Sequence, residues 1–214
     1  LPQRMNRLLQ GDVGAGKTLV AFMAMLIAVE AGGQGVMMAP TEILARQHLE
    51  GLRPLAEEAG VVLEILTGRD KGAERRQKLA ALAEGKIQIL VGTHAVFQPD
   101  VHFRDLRLAI VDEQHRFGVQ QRLALREKGR DANQVPHQLV MTATPIPRSL
   151  AMVLHADMDV SVIDEMPPGR KPVETVVIPN SRRDEVQERI RKACADGQRG
   201  YWVCPLVEES HVLE

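Results

Sequence analysis

Short apolar runs recur along the chain, each closed by glycine, proline or a small polar residue and followed by a stretch of mixed polarity. Runs around Leu8-Leu9 and at 35–39, 61–66, 87–91, 109–111, 139–141 and 160–163 predict strands. Between them, residues 19–29, 42–53, 72–83 and a segment after Pro147 predict helices, with Thr41 as a cap and Pro54 as a stop for the second. Strands that are uniformly apolar are buried on both faces, and strands that alternate with helices form parallel sheets. The pattern therefore predicts an α/β fold, a parallel sheet with helices on both faces, whose ligands bind at the carboxyl ends of the strands. The longest apolar stretch, 19–29, is about half of what a membrane span needs, so it reads as a helix buried inside the protein, with no membrane role.

The pattern changes at residues 164–172, Asp-Glu-Met-Pro-Pro-Gly-Arg-Lys-Pro, whose three prolines and one glycine are the composition of a linker. Beyond it a strand at 173–178, a helix at 182–195 and a strand at 201–204 make a single unit, with Trp202 in its core. One such unit is too small for a core of its own. The expected division is a first domain over 1–163, a linker over 164–172 and the beginning of a second domain over 173–214. The first residues, Leu-Pro, and the last, Val-Leu-Glu, read as the ends of a piece of a longer protein.

The most informative stretch is Gly11-Asp12-Val13-Gly14-Ala15-Gly16-Lys17-Thr18, between an apolar run and a helix, which fits the pattern G-x-x-x-x-G-K-[ST]. Backbone N–H groups can surround a triphosphate only where no Cβ blocks the approach, and Gly11, Gly14 and Gly16 give that clearance. Lys17 then meets the β- and γ-phosphates, the Thr18 hydroxyl ligates Mg²⁺, and the helix turns its positive end to the anion. A second run, Leu108-Ala109-Ile110-Val111, ends in Asp112-Glu113-Gln114-His115. A carboxylate at a neighbouring strand end can hold Mg²⁺ opposite Thr18, the role given to Asp112, while Glu113 is placed to orient and deprotonate a water. A third run ends in Met141-Thr142-Ala143-Thr144-Pro145. Thr142 and Thr144 either bond the Gln114 or His115 side chains and report the γ-phosphate, or form a threonine-rich exit into a proline turn.

Composition narrows the partners. A net charge of −1 argues against a bulk electrostatic grip on nucleic acid, so contacts with DNA or RNA must be local. Cys194 and Cys204 have no ligand spacing, which predicts unpaired thiols in a reducing compartment and no zinc. The chain is 44% apolar and only 3% aromatic, so its core must be aliphatic and methionine-rich. Arg75, Arg76 and Lys78 read as a solvated helix face, and Arg182, Arg183, Arg189, Arg191 and Lys192 suit pairing with Asp184, Glu185 and Glu188. Arg116 and Arg148 are better candidates for functional cations.

Gly11 to Thr18, Ala39-Pro40-Thr41-Glu42, Asp112-Glu113-Gln114-His115 and Thr142-Ala143-Thr144 resemble, in order, motifs I, Ia, II and III of the superfamily 2 helicases. Gln114 in the second motif and the Pro167-Pro168-Gly169-Arg170 linker are similar to the bacterial branch-migration helicases of that superfamily. The transcription-repair coupling translocases are the nearest rival, but their second motif usually reads Asp-Glu-Glu-His. The resemblance implies a RecA-like P-loop lobe followed by the start of a second one, ATP and Mg²⁺ as cofactors, and a monomeric cytoplasmic enzyme acting on forks and Holliday junctions. It also implies that Gln114, His115, Thr142 and Thr144 couple nucleotide state to DNA contact. Pro40, Thr41 and Thr93 would touch the DNA backbone, with ordinary helix capping as the alternative for the two threonines. The family's wedge domain, most of its adenine-reading segment and its arginine finger lie outside this sequence. That cation is worth about 10³ to 10⁵ in rate in phosphoryl-transfer enzymes, so the chain alone is expected to bind nucleotide weakly and barely hydrolyse it. A nucleotide-binding module that does not hydrolyse is a further reading; the Asp112-Glu113 pair counts against it.

Overall fold

The computed structural model describes residues 4–113, 135–143, 158–165, 169 and 173–203. The chain divides into two compact units, Leu1–Gly169 and Arg170–Glu214.

In the first unit seven strands form one sheet: β1 (Asn6–Gly11), β2 (Gln34–Met38), β3 (Leu63–Leu66), β4 (Ile89–Gly92), β5 (Leu106–Asp112), β6 (His137–Thr142) and β7 (Asp159–Ile163). Their order is β3-β4-β2-β5-β6-β1-β7, and every neighbouring pair is parallel. Helices α1 (Lys17–Glu30), α2 (Glu42–Glu58) and α3 (Gly72–Ala83) cover it. Successive strand residues point to opposite faces, and each face has its own core. Met37 and Ile110 pack with Phe22 and Met25 of α1 and Leu49 and Leu52 of α2. Val36, Met38, Ala109 and Val111 pack on the other face with Leu82 of α3. This is the parallel, doubly covered sheet that the apolar runs predict, with an aliphatic and methionine-rich core.

Several expectations need correction. Helix α2 does not stop before Pro54 but continues to Glu58 with the proline inside it. Pro54 has no N–H to donate to the Glu50 carbonyl, but Glu50 and Pro54 are both exposed, so water can serve that oxygen. Continuing the helix keeps Leu55 and Ala56 against the core, which offsets the cost of an interior proline, about 3 kcal/mol. Helix α1 is not buried all round: Ala21, Phe22 and Met25 face the sheet, while Leu19, Met23 and Ile27 are 50%, 57% and 68% exposed. A helix lying on a sheet buries only the stripe that faces it. Nor is α3 merely solvated, since Arg75 pairs with Asp100 at 2.9 Å and Lys78 with Asp70 at 2.6 Å, both half-buried; Arg76 alone of the three is exposed. No helix among the described residues is long and apolar enough to cross a membrane.

In the second unit the helix α4 (Arg183–Ala195) forms where expected, and its cations pair locally, Arg182 with Glu185 and Arg191 with Glu188. The strands expected at 173–178 and 201–204 do not form among the described residues. Val173, Val176 and Val177 are exposed, because two strands and one helix offer no sheet for them to join. Trp202 is 45% exposed rather than core, with the Arg183 guanidinium 5.5 Å from its ring centre.

Candidate nucleotide and metal site

Strand order alone brings the three predicted motifs together. Strand β6 lies between β1 and β5, with Gln10 level with Thr142 and Met141 level with Asp112. The phosphate loop, Ala143 and Glu113 therefore leave the same carboxyl edge side by side.

The loop turns on Gly14 and Gly16, whose φ angles of 80° and 92° lie in the left-handed region that favours glycine. Ala15 N–H donates to Asp12 O (3.1 Å) and Val13 N–H to Asp12 Oδ1 (2.7 Å). No group among the described residues accepts from the amides of Gly14, Gly16, Lys17 or Thr18, so they form a donor cradle at the start of α1. The Lys17 ammonium donates to Gly11 O and Asp12 O, both at 2.8 Å, which ties it across the mouth of the loop. Gly11 also has a packing role: a Cβ there would come within 3.1 Å of Ile163 Cβ, so its bareness lets β1 lie close against β7.

Across β6, Asp112 is 9% exposed. Its Oδ2 lies 2.8 Å from His48 Nε2 on α2, while its Oδ1 meets no donor among the described residues. Glu113 has φ 52°, a left-handed conformation costly for a residue with a side chain, of order 1–3 kcal/mol. Two bonds, one to β6 and one to the residue that follows it, hold it there: its N–H donates to Met141 O (3.0 Å), and its Oε1 accepts from Ala143 N–H (3.3 Å). The second and third motifs thus meet through Glu113 and the Ala143 backbone, with Thr142 buried at 4% exposure. Gln114, His115, Thr144, Arg116 and Arg148 lie outside the described residues. An open cavity of about 680 Å³ joins the parts, lined by Gly16, Lys17, Thr18, His48, Asp112 and Glu113 among others.

The oxygen chemistry suits a small hard cation. Mg²⁺ is usually held by one or two carboxylates with phosphate and water oxygens, not by an all-protein cage. Asp112 Oδ1, a nearly buried carboxylate oxygen that meets no donor among the described residues, and the hydroxyl of half-buried Thr18 match that requirement.

The other half of the carboxyl edge, after β2, β4 and β3, carries the expected DNA-contact residues. The Thr41 hydroxyl accepts from Leu44 N–H (3.3 Å) and so caps α2; its own hydrogen stays available to an outside acceptor. Thr93 is buried at 3% exposure and its N–H donates to Leu66 O, so the outer surface of that turn is His94 and the expected Thr93 contact needs correction. Pro40 is half-buried beside Thr41. The turn after β3 is tied by Asp70, which accepts from Thr67 N–H (2.7 Å) and Lys78 (2.6 Å). Burial raises the Asp70 pKa, but Lys78 and Thr67 outweigh it and hold the carboxyl below its ordinary value. Arg69 projects from that turn, 80% exposed, with Glu42 at 3.1 Å. Sequence reasoning missed His48, Arg69 and Asp70.

An amide cradle at a helix start, its lysine and threonine, and two carboxylates at an adjacent strand end define a RecA-like P-loop nucleotide site. The chain belongs to the DEAD/DEAH box helicase family, which it matches over residues 1–153. It is similar to the ATP-dependent DNA helicase RecG of Pasteurella multocida, 56% identical over all of this chain and 31% of the relative, and to that of Bacillus subtilis, 52% identical over 100% and 31%. A solved structure of RecG bound to a three-way DNA junction superposes with a TM-score of 0.76 at 44% identity, over 91% of this chain and 26% of that one. The chain thus spans about a third of the length of these relatives.

Proposed function

We propose that this chain is the ATP-binding lobe of a double-stranded DNA translocase that regresses stalled replication forks and branch-migrates Holliday junctions. The observation that carries the reading is the pairing of Asp112 and Glu113 with the phosphate loop across one strand, an arrangement suited to hydrolysis and not only to binding. Similarity to RecG supports branched DNA as the substrate. In this reading residues 1–163 are the first lobe, 164–172 a linker and 173–214 the start of the second, and the protein works as a cytoplasmic monomer.

The amides of Gly14, Gly16, Lys17 and Thr18 hold the phosphates, and the Lys17 ammonium stabilises charge on the β- and γ-oxygens. Thr18 and Asp112 are the residues to hold Mg²⁺, which when bound neutralises phosphate charge. Glu113 takes a proton from the water that attacks the γ-phosphorus, and the bond from Ala143 N–H keeps its carboxylate aimed across β6. Gln114, His115, Thr142 and Thr144 relay the nucleotide state. Pro40 and Thr41 meet the DNA backbone without reading sequence, as phosphate contacts do, with Arg69 and His94 as further candidates and Thr93 shaping the turn from within.

The test is the ATPase rate of the full-length gene product with no DNA, linear duplex, a fork and a four-way junction. Fork and junction are expected to stimulate turnover well above linear duplex. Equal stimulation by all three would point to a general duplex translocase of the transcription-coupling kind, and no stimulation would rule out a DNA motor.

A further inference from the structure

Among the described residues, one close polar contact at the nucleotide cavity has no place in the roles assigned above. His48, two turns into α2, sets its Nε2 2.8 Å from Asp112 Oδ2. Both side chains are only 12% exposed, and both line the cavity that holds Lys17, Thr18 and Glu113. The two residues stand 64 positions apart, brought together because α2 packs Ala45, Leu49 and Leu52 into the core on the same face as Met37 and Ile110. Helix packing therefore fixes the height of His48 against the end of β5.

We propose that His48 is a positioning residue for the metal-binding carboxylate. Its Nε2–H donates to Asp112 Oδ2 and fixes the carboxylate rotamer, so that Oδ1, which has no donor among the described residues, faces the cavity as the cation's ligand. A carboxylate with one oxygen tethered has less freedom to lose when it takes a cation with the other. This is the same logic by which outer partners of metal ligands raise affinity about 10- to 100-fold. The contact also has a route to the opposite half of the sheet edge. Helix α2 starts at the Thr41 cap, beside Pro40 and the Glu42–Arg69 pair, and ends its second turn on the carboxylate. The inference rests on the reading of Asp112 as a metal ligand.

The experiment is binding of a fluorescent ATP analogue to this chain, titrated with Mg²⁺ and repeated with Mn²⁺, in wild type, His48→Ala and His48→Gln. Glutamine can place a side-chain N–H close to the position of Nε2, whereas alanine cannot. The expected result is a rise of about tenfold in the half-saturating metal concentration for His48→Ala, recovery towards wild type in His48→Gln, and unchanged analogue affinity without metal in both. Equal metal dependence in wild type and His48→Ala overturns the inference. So does a loss of metal-free binding shared by both variants, which is the mark of a merely structural role. A wild-type chain that binds the analogue with no metal dependence overturns the reading of Asp112 itself, and the two failures are thereby told apart.

Discussion

Glu113→Gln in the full-length gene product is expected to lower DNA-stimulated ATP turnover by about 10²- to 10⁴-fold, the usual worth of a positioned general base. ATP affinity is expected to stay near wild type. The substitution is close to isosteric, and a glutamine Oε1 can still accept from Ala143 N–H, so the bond that joins the second and third motifs survives. The left-handed backbone at Glu113 is held by its N–H to Met141 O, which does not involve the side chain. What is lost is the group that takes the proton. Turnover and equilibrium binding of a fluorescent ATP analogue, measured on the same preparation, check both halves. A variant that hydrolyses ATP at more than a tenth of the wild-type rate would show that the base lies elsewhere.

Lys17→Ala is expected to weaken ATP binding to this chain by roughly 10- to 100-fold, the equivalent of one lost charge-assisted hydrogen bond. Isothermal titration of ATP and Mg²⁺ measures it. Here the side chain also braces the loop through Gly11 O and Asp12 O, so removing it frees two carbonyls at the mouth of the cradle. Lys17→Arg separates the two effects. It keeps a cation of a different shape, and it is expected to recover less than half of the lost binding free energy, because a planar guanidinium cannot reproduce the ammonium's bonds to two loop carbonyls. Unchanged affinity in Lys17→Ala contradicts the assignment of the loop.

Much of this fold is legible in the sequence because its signals are local. Each buried parallel strand is an apolar run, and the phosphate loop carries its own punctuation in Gly14 and Gly16, both of which adopt the positive φ that only glycine takes freely. Strand lengths are less legible. Strand β5 begins at Leu106, three residues before the apolar run at 109–111, and pairing with β2 and β6 sets that limit. Pro54 reads as a stop because propensity is local, whereas the packing that carries α2 past it is not. The strands expected beyond Pro172 needed neighbours, and an apolar run such as Val176-Val177 says nothing about whether a sheet is present to receive it.

The same distinction governs the site. Lys17, Thr18, Asp112 and Glu113 announce themselves by spacing and by position at strand ends, and the strand order β5-β6-β1 then places them about one cavity. His48 gives no such signal. It is a single histidine within a helix, and its partner is known only once α2 is laid on the sheet. Thr93 fails in the opposite direction, since a threonine after an apolar run looks available for contact, yet the 3-10 turn at His94–Phe97 and the bond to Leu66 O fold it inward.

The central claim is that the phosphate loop of β1 and the carboxylates of β5 form one nucleotide site. A crystal structure of this chain with a non-hydrolysable ATP analogue and Mn²⁺ tests it most directly, since the anomalous signal locates the metal. The expected result is triphosphate on the amides of Gly14 to Thr18, with the Mn²⁺ peak between the Thr18 hydroxyl and the Asp112 carboxylate. A metal peak elsewhere, or an analogue seated away from Lys17, would contradict the account.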